Sequence, residues 1–109
     1  MNRRQQKERL EKALSILNEI QVIDSDYEIG EVIYILVEDN DYSRLMIEKH
    51  CRVLGLDKKK FIETCREDVE DNYLDFANAW DLWKEIKGYA ICHSSKCGFS
   101  LKRCNEGDE

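Results

Sequence analysis

The sequence has no proline, and only five of its 109 residues are glycine. Proline and glycine are the residues that most often interrupt helices, and average usage would place about five prolines in a chain of this length. Leucine, isoleucine, glutamate and lysine are plentiful instead, and most of these favour helices. The composition therefore predicts an all-α fold.

Long apolar runs are also missing. The longest, VIYILV at residues 32–37, is far shorter than the roughly 20 residues that span a bilayer. The first twelve residues, MNRRQQKERLEK, have no apolar segment of the kind found in secretory signals. We expect a cytoplasmic protein without a membrane partner. Its five cysteines, an odd number, exclude complete internal disulfide pairing, and a reducing compartment favours free thiols.

Basic residues are absent from residues 13–43, which contain eight acids. Residues 44–66 have the opposite balance, with seven basic residues and three acids, within a net charge of −6. Such blocks predict separate acidic and basic faces on the folded protein. We expect the acidic face, with residues 67–75 as a second acidic segment, to bind a protein partner with a basic surface. Its candidate residues are Glu28, Glu31, Glu38, Asp39 and Asp41.

Helical periodicity predicts a single domain over residues 1–109, built from four or five helices arranged as αα-hairpins. The expected helices cover residues 3–21, 26–40, 42–54, 58–68 and 73–87, and the first eight residues are expected to fray. Trp80 and Trp83 are expected in the core. Residues 88–109 form a short extension that contains cysteines, with a small β-hairpin around residues 94–98.

Residues 29–38 are compatible with two structures. Ile29, Val32 and Ile33, followed by Leu36 and Val37, have the spacing of one helix face. The same segment is rich in residues that favour strands. We favour a helix, because a single strand here has no obvious partner nearby.

The segment HCRVLGLDKKKFIETC, residues 50–65, contains clear helix-boundary signals: Gly55 and Leu56 end one helix, and Asp57 caps the next. The preceding helix is expected to turn Tyr42, Leu45, Met46, His50 and Val53 inward. The spacing within residues 50–65 resembles that of a helix-turn-helix unit, with Cys51, Gly55, Leu56 and Phe61 at the corresponding positions. That resemblance implies an alternative function, DNA binding through the segment from Lys58 to Phe61. It also predicts a stripe of basic residues on one face of the protein. The candidate DNA-binding residues are Arg44, Arg52, Lys58, Lys59 and Lys60.

The chain departs from that pattern in two respects. His50 stands where such units bury an aliphatic residue, and the sequence pI of about 5.0 is acidic for a nucleic-acid-binding protein. An ordinary pair of helices with solvated lysines explains the same residues.

The C-terminal segment CHSSKCGFSLKRC contains atom types that bind zinc, in Cys92, His93, Cys97 and Cys104. None of these cysteines forms a C-x2-C pair, and neighbouring Cys92 and His93 are poorly placed to share one ion. The sequence therefore favours reduced thiols and no cofactor, with a zinc-stabilised interaction module as a further alternative.

Catalytic motifs are not apparent in the sequence. It has no glycine-rich phosphate loop, no G-x-S-x-G and no H-E-x-x-H. We therefore expect a small acidic, non-enzymatic regulator or inhibitor that binds a basic, for example nucleic-acid-binding, protein. An accessory protein of a phage or mobile element fits this description.

Overall fold

The computed structural model describes residues 3–29, 31–83 and 89–103. Its helices and strands follow one another along the chain as α1 (Arg3–Leu17), β1 (Val22–Glu28), β2 (Glu31–Glu38), α2 (Asp41–Leu54), α3 (Lys58–Cys65), β3 (Tyr73–Asp75), a 3-10 helix (Phe76–Ala79), α4 (Trp80–Trp83), β4 (Tyr89–Ser94) and β5 (Gly98–Arg103). The first three strands form one antiparallel sheet in the order β1-β2-β3, and β4 and β5 form a second. No helix in these described ranges is both long and apolar enough to cross a membrane.

The prediction of an all-α helical bundle is wrong, because the protein is mixed α/β. The error lies mainly in residues 26–40, where β2 and part of β1 replace the expected helix. β2 finds its partner immediately upstream, in a segment whose polar residues suggested a helix cap. Once that partner is present, the branched side chains of Val32, Ile33 and Ile35 suit a pleated strand better than a helix.

Two irregularities shape the β1–β2 hairpin. Its register shifts between Val22 and Asp24 and again between Asp26 and Tyr27. Each shift leaves one residue without a partner on the opposite strand, Ile23 on β1 and Ile33 on β2. Such bulges redirect side chains, and both isoleucines are exposed. Ile35 and Val37, by contrast, are fully buried on the inner face of the sheet.

The boundaries of α2 and α3 confirm the local signals in LGLD. Gly55 ends α2 with a left-handed backbone (φ 73°), and the amides of Gly55 and Leu56 both donate to the carbonyl of Cys51. Asp57 caps α3 by accepting from the amides of Lys59 and Lys60. Asn40, rather than Asp41, caps α2 by accepting from the Ser43 amide.

Two details of these helices differ from expectation. α3 ends at Cys65 rather than near residue 68. Tyr42 and Leu45, predicted to face inward, are about half exposed, whereas Met46 and His50 are buried. Tyr42 and Leu45 thus face solvent, whereas Ser43 in the same turn is buried.

The predicted helix over residues 73–87 is wrong in its first part. Tyr73, Leu74 and Asp75 form β3, which pairs with the end of β2. The Asp75 carboxylate then accepts hydrogen bonds from the amides of Ala77 and Ile35, both at 2.9 Å. It thereby starts the 3-10 helix and fastens it to β2. Residues 84–88 of the predicted helix lie outside the described residues.

The C-terminal hairpin, predicted around residues 94–98, is present, and Ser94 pairs with Gly98. It packs on the core rather than extending from it, because Phe99 is buried. Asn18, just after α1, holds β5: its Oδ1 accepts from the Phe99 amide (2.8 Å) and its Nδ2 donates to the Phe99 carbonyl (3.0 Å).

The buried core joins both sheets and the helices, and its fully enclosed side chains include Leu10, Leu14, Leu17, Ile35, Val37, Ile47, Cys51, Phe61, Cys65, Leu74 and Phe76.

His50 lies at the centre of the helical side of the core, with no exposed surface. Its Nδ1 is 2.7 Å from the Ala13 carbonyl, and its Nε2 is 3.1 Å from Nε1 of Trp83. A carbonyl can only accept and an indole N–H can only donate, so the imidazole is neutral with its proton on Nδ1. Burial lowers the pKa of His50 to about 4, partly opposed by the bond to Ala13.

We expect acid to destabilise the protein through His50. Its pKa is about 4 in the folded state, against an ordinary value of 6.5. Between these values the unfolded chain binds more protons, so stability present above pH 6.5 is lost as the pH falls towards 4. In urea denaturation, the free energy of unfolding should fall by about 1 to 2 kcal/mol between pH 6.5 and about pH 5, a pH range above that in which most carboxylates titrate.

His50→Gln, which retains an amide donor and acceptor but cannot titrate, should lose most of this pH dependence. His93, whose pKa burial also lowers, contributes in the same direction, so His93→Gln is the matched control and should lose only part. If the free energy of unfolding of His50→Gln depends on pH as strongly as that of the unchanged protein, His50 is not the source of the pH dependence.

Candidate functional site

The tip of the β1–β2 hairpin combines charge with an exposed apolar residue. Glu28 ends β1, Glu31 begins β2, and the two are paired across the hairpin. Ile29 follows Glu28, and 96% of its surface is exposed. Within the described part of the chain, neither glutamate forms a salt bridge. The tip therefore presents an apolar side chain next to two uncompensated carboxylates.

The backbone of Ile29 adopts a left-handed conformation, with φ at 51°. A β-branched residue is rarely found there, because its Cβ crowds the neighbouring carbonyl. Asparagine or glycine would fit this position with less strain. An exposed side chain in a strained backbone gains nothing from the core, so folding alone does not account for isoleucine here.

The other predicted acidic residues lie at the opposite end of β2. Glu38 is its last residue, and Asp39 and Asp41 follow. Seven strand steps separate Glu38 from Glu31, which places the two groups roughly 23 Å apart. The predicted acidic face is thus divided between the hairpin tip and the base of β2.

Asp39 differs from the other acids because it is paired within the chain. Its carboxylate accepts from Nε and Nη2 of Arg44 at 2.6 and 3.0 Å, and this hydrogen bonding lowers the pKa of Asp39. Asp39 is therefore less available to a partner than Glu38 and Asp41, which are exposed and form no salt bridge among the described residues.

The candidate DNA-binding residues are partly neutralised. Arg44 is held by Asp39, while Arg52 and Lys58 both approach Glu48, at 2.6 and 3.3 Å. Lys59 and Lys60 are exposed at the start of α3, an eight-residue helix. The structure thus places carboxylates beside three of the five cations that this interpretation requires.

Three of the four candidate zinc ligands lie on the C-terminal hairpin. Cys92 and His93 are neighbours on β4, so their side chains point to opposite faces, and Cys97 lies in the turn. His93 Nδ1 is 2.6 Å from the Tyr27 hydroxyl, and Cys92 Sγ is 3.3 Å from the Ser100 hydroxyl. No three metal-binding side chains cluster within the described ranges, and Cys104 lies outside them.

Several surface features were not recognised in the sequence. Ile23, Ile29 and Ile33 are exposed, although the helical interpretation placed Ile29 and Ile33 on an inner face. The segment YEIGEV contained a usable signal, since a glycine-containing pair between two strand-like segments is typical of a hairpin turn. Asp24 and Tyr34, which hydrogen-bond to each other at 3.0 Å, were also missed.

Comparison with known proteins gave no match: no family model fits the chain, and neither a curated protein nor a solved structure is detectably similar.

Thiol chemistry should distinguish the cysteines. Burial raises the pKa of Cys51 to about 12 and raises that of Cys65 as well, whereas Cys97 is exposed. Because the thiolate is the reactive form, brief treatment of the native protein with iodoacetamide should modify Cys97 and leave Cys51 and Cys65 intact. Peptide mass spectrometry would read the sites, with urea-unfolded protein as the control. Equal labelling of all three in the native state would contradict the buried positions.

Replacing Ile29 by asparagine should stabilise the protein. Asparagine tolerates positive φ, so relief of the strain predicts a gain of about 1 kcal/mol in the free energy of unfolding. Urea denaturation measures this gain. Ile23→Asn is the matched control, because Ile23 is an exposed isoleucine without a positive φ, and it should give no gain. Equal effects of the two changes would rule out strain at Ile29.

Proposed function

We propose that this protein is a non-enzymatic regulator or inhibitor that binds a basic protein surface through the tip of the β1–β2 hairpin. The observation that carries this proposal is the nearly complete exposure of Ile29 at positive φ. Ile29 lies next to Glu28, which has no salt-bridge partner among the described residues, and Glu31 lies opposite Glu28. An apolar anchor beside negative charges is complementary to an apolar depression bordered by lysine or arginine.

The chemistry of this tip favours a protein partner over a nucleic acid. Carboxylates repel phosphate groups, whereas an aliphatic side chain gains free energy when it enters an apolar pocket. The basic residues 44–66 do not outweigh this preference for a protein partner, because Arg44, Arg52 and Lys58 already lie beside carboxylates. The structure of this segment therefore favours protein binding over the DNA-binding alternative.

The charge pattern adds long-range attraction. Residues 13–43 contain no lysine or arginine, so the field of β1 and β2 is negative and would speed encounter with a basic surface. Proteins that handle nucleic acids have such surfaces. We propose one of them as the partner, in the reducing cytoplasm, where the exposed Cys97 thiol would remain free.

Charge reversal at the tip tests the proposal. Glu28→Lys with Glu31→Lys should weaken the partner complex on the order of 100-fold, because like charges would then face each other across the interface. Affinity capture from extracts of the source cells identifies the partner by mass spectrometry, and calorimetry with the purified partner gives the affinity at two salt concentrations.

The matched control is Glu38→Lys with Asp41→Lys, which changes the net charge equally but acts at the base of β2. It should weaken binding much less than the tip variant. If the two variants behave alike, only net charge matters and the tip is not the interface. If instead Lys58→Glu, Lys59→Glu and Lys60→Glu together abolish the only binding observed, and that binding is to DNA, the proposal is wrong.

A further inference from the structure

A groove of about 490 Å3 crosses the outer face of the first sheet. Its apolar surface comes from Ile23 on β1, Leu36 on β2 and Val69 in the loop after α3. Two aromatic rings complete it, those of Tyr34 and Tyr73. Leu36, Tyr34 and Tyr73 are all only half-buried, so their surfaces remain accessible to a ligand.

The groove is bordered by acids. Asp24 on β1 and Asp68 and Glu70 in the loop all line it and are exposed. Among the described residues, the groove lining contains no lysine, arginine or histidine. The hydrogen bond from Tyr34 to Asp24, together with the charges of Asp24 and Asp26, raises the pKa of Tyr34. The phenol therefore stays neutral, and the charge of the groove is wholly negative at neutral pH.

Asp75 provides a second, independent observation at the groove. It lines the groove, although only 9% of its surface is exposed. Its Oδ1 accepts from the amides of Ile35 and Ala77, but Oδ2 has no donor among the described residues. Asp75 pairs with Leu36 across the strands, so both side chains lie on the outer face. A carboxylate oxygen that has no donor within the described residues can accept from a cationic group that enters the groove.

From these features we infer that the groove binds an arginine side chain of the partner. This inference rests on the proposed function, since it names a group that the basic partner would supply. The methylene stem of the arginine fits against Ile23, Leu36 and Val69, because long cationic side chains bury their stems while their heads remain polar. The guanidinium lies among the carboxylates of Asp24, Asp68 and Glu70.

Arginine fits this groove better than lysine for two reasons. The planar guanidinium stacks on aromatic rings, which Tyr34 and Tyr73 provide. It also has five N–H donors in a fixed fork, which can bond several carboxylate oxygens at once. The ammonium of lysine has three donors and acts more nearly as a point charge.

The test uses small probes rather than the unidentified partner. N-acetyl-arginine amide is titrated into 15N-labelled full-length protein, beside N-acetyl-lysine amide and N-acetyl-citrulline amide, the neutral isostere. The arginine probe should shift the amide signals of Leu36, Val69 and Tyr73 and saturate in the millimolar range expected of so small a ligand. The lysine probe should bind more weakly, and citrulline should not shift these signals.

Matched variants locate the site. Asp24→Asn with Asp68→Asn should weaken arginine binding at least about tenfold through loss of charge-assisted hydrogen bonds. Asparagine suits position 68, where φ is 58°, and the spectrum itself reports whether the variant folds. Glu28→Gln with Glu31→Gln removes the same charge from the hairpin tip and should leave arginine binding unchanged.

The outcomes separate this inference from the proposed function. Equal shifts with arginine and citrulline, or no shift at the groove residues, overturn the arginine site even if a basic partner binds at the tip. Specific arginine binding that is lost in the groove variant supports the site, even if no basic partner is captured. Equal weakening by the groove and tip variants would show nonspecific charge attraction and would also overturn it.

Discussion

The fold depends on one buried imidazole that joins three helices. His50 on α2 donates to Ala13 of α1 and accepts from Trp83 of α4, so both ring nitrogens are satisfied in a single tautomer. Leaving either nitrogen without its partner in the core would be unfavourable, which makes this arrangement specific as well as stable. The rings of Phe61 and Trp83 pack on the imidazole, and Trp83 also contacts Phe99 of the C-terminal hairpin. The position of that hairpin is therefore linked to the same histidine.

With the helices packed on the inner face of the first sheet, its outer face is left partly open. Antiparallel sheets commonly bury one face and expose the other, and here Ile35 and Val37 point inward while Tyr34 and Leu36 lie outward. Residues 68–70 approach this outer face and form the second wall of a groove. The architecture that buries the core thus also creates an acidic and aromatic surface.

Features encoded by neighbouring residues could be predicted from the sequence, whereas strand pairing could not. Gly55 and Asp57 act through bonds to residues two to four positions away, so their motif identified both helix boundaries. β1 is a polar edge strand and β3 has only three residues, so neither has an apolar pattern of its own, and both depend on β2. The acidity of the surface followed from composition. The exposure of Ile29 did not, because a helix and a hairpin place the same residue in opposite environments.

Three features of the hairpin tip reduce its stability in the isolated protein. Ile29 has a strained backbone, its side chain remains in water, and Glu28 lies directly opposite the like-charged Glu31. Asp39 shows that this chain can supply a counter-charge, since Arg44 neutralises it. A partner surface with an apolar depression between cations would bury the isoleucine and neutralise both glutamates at once. Neither effect requires the hairpin to refold, so such a partner would reverse two of the three unfavourable features, and the backbone strain at Ile29 would remain.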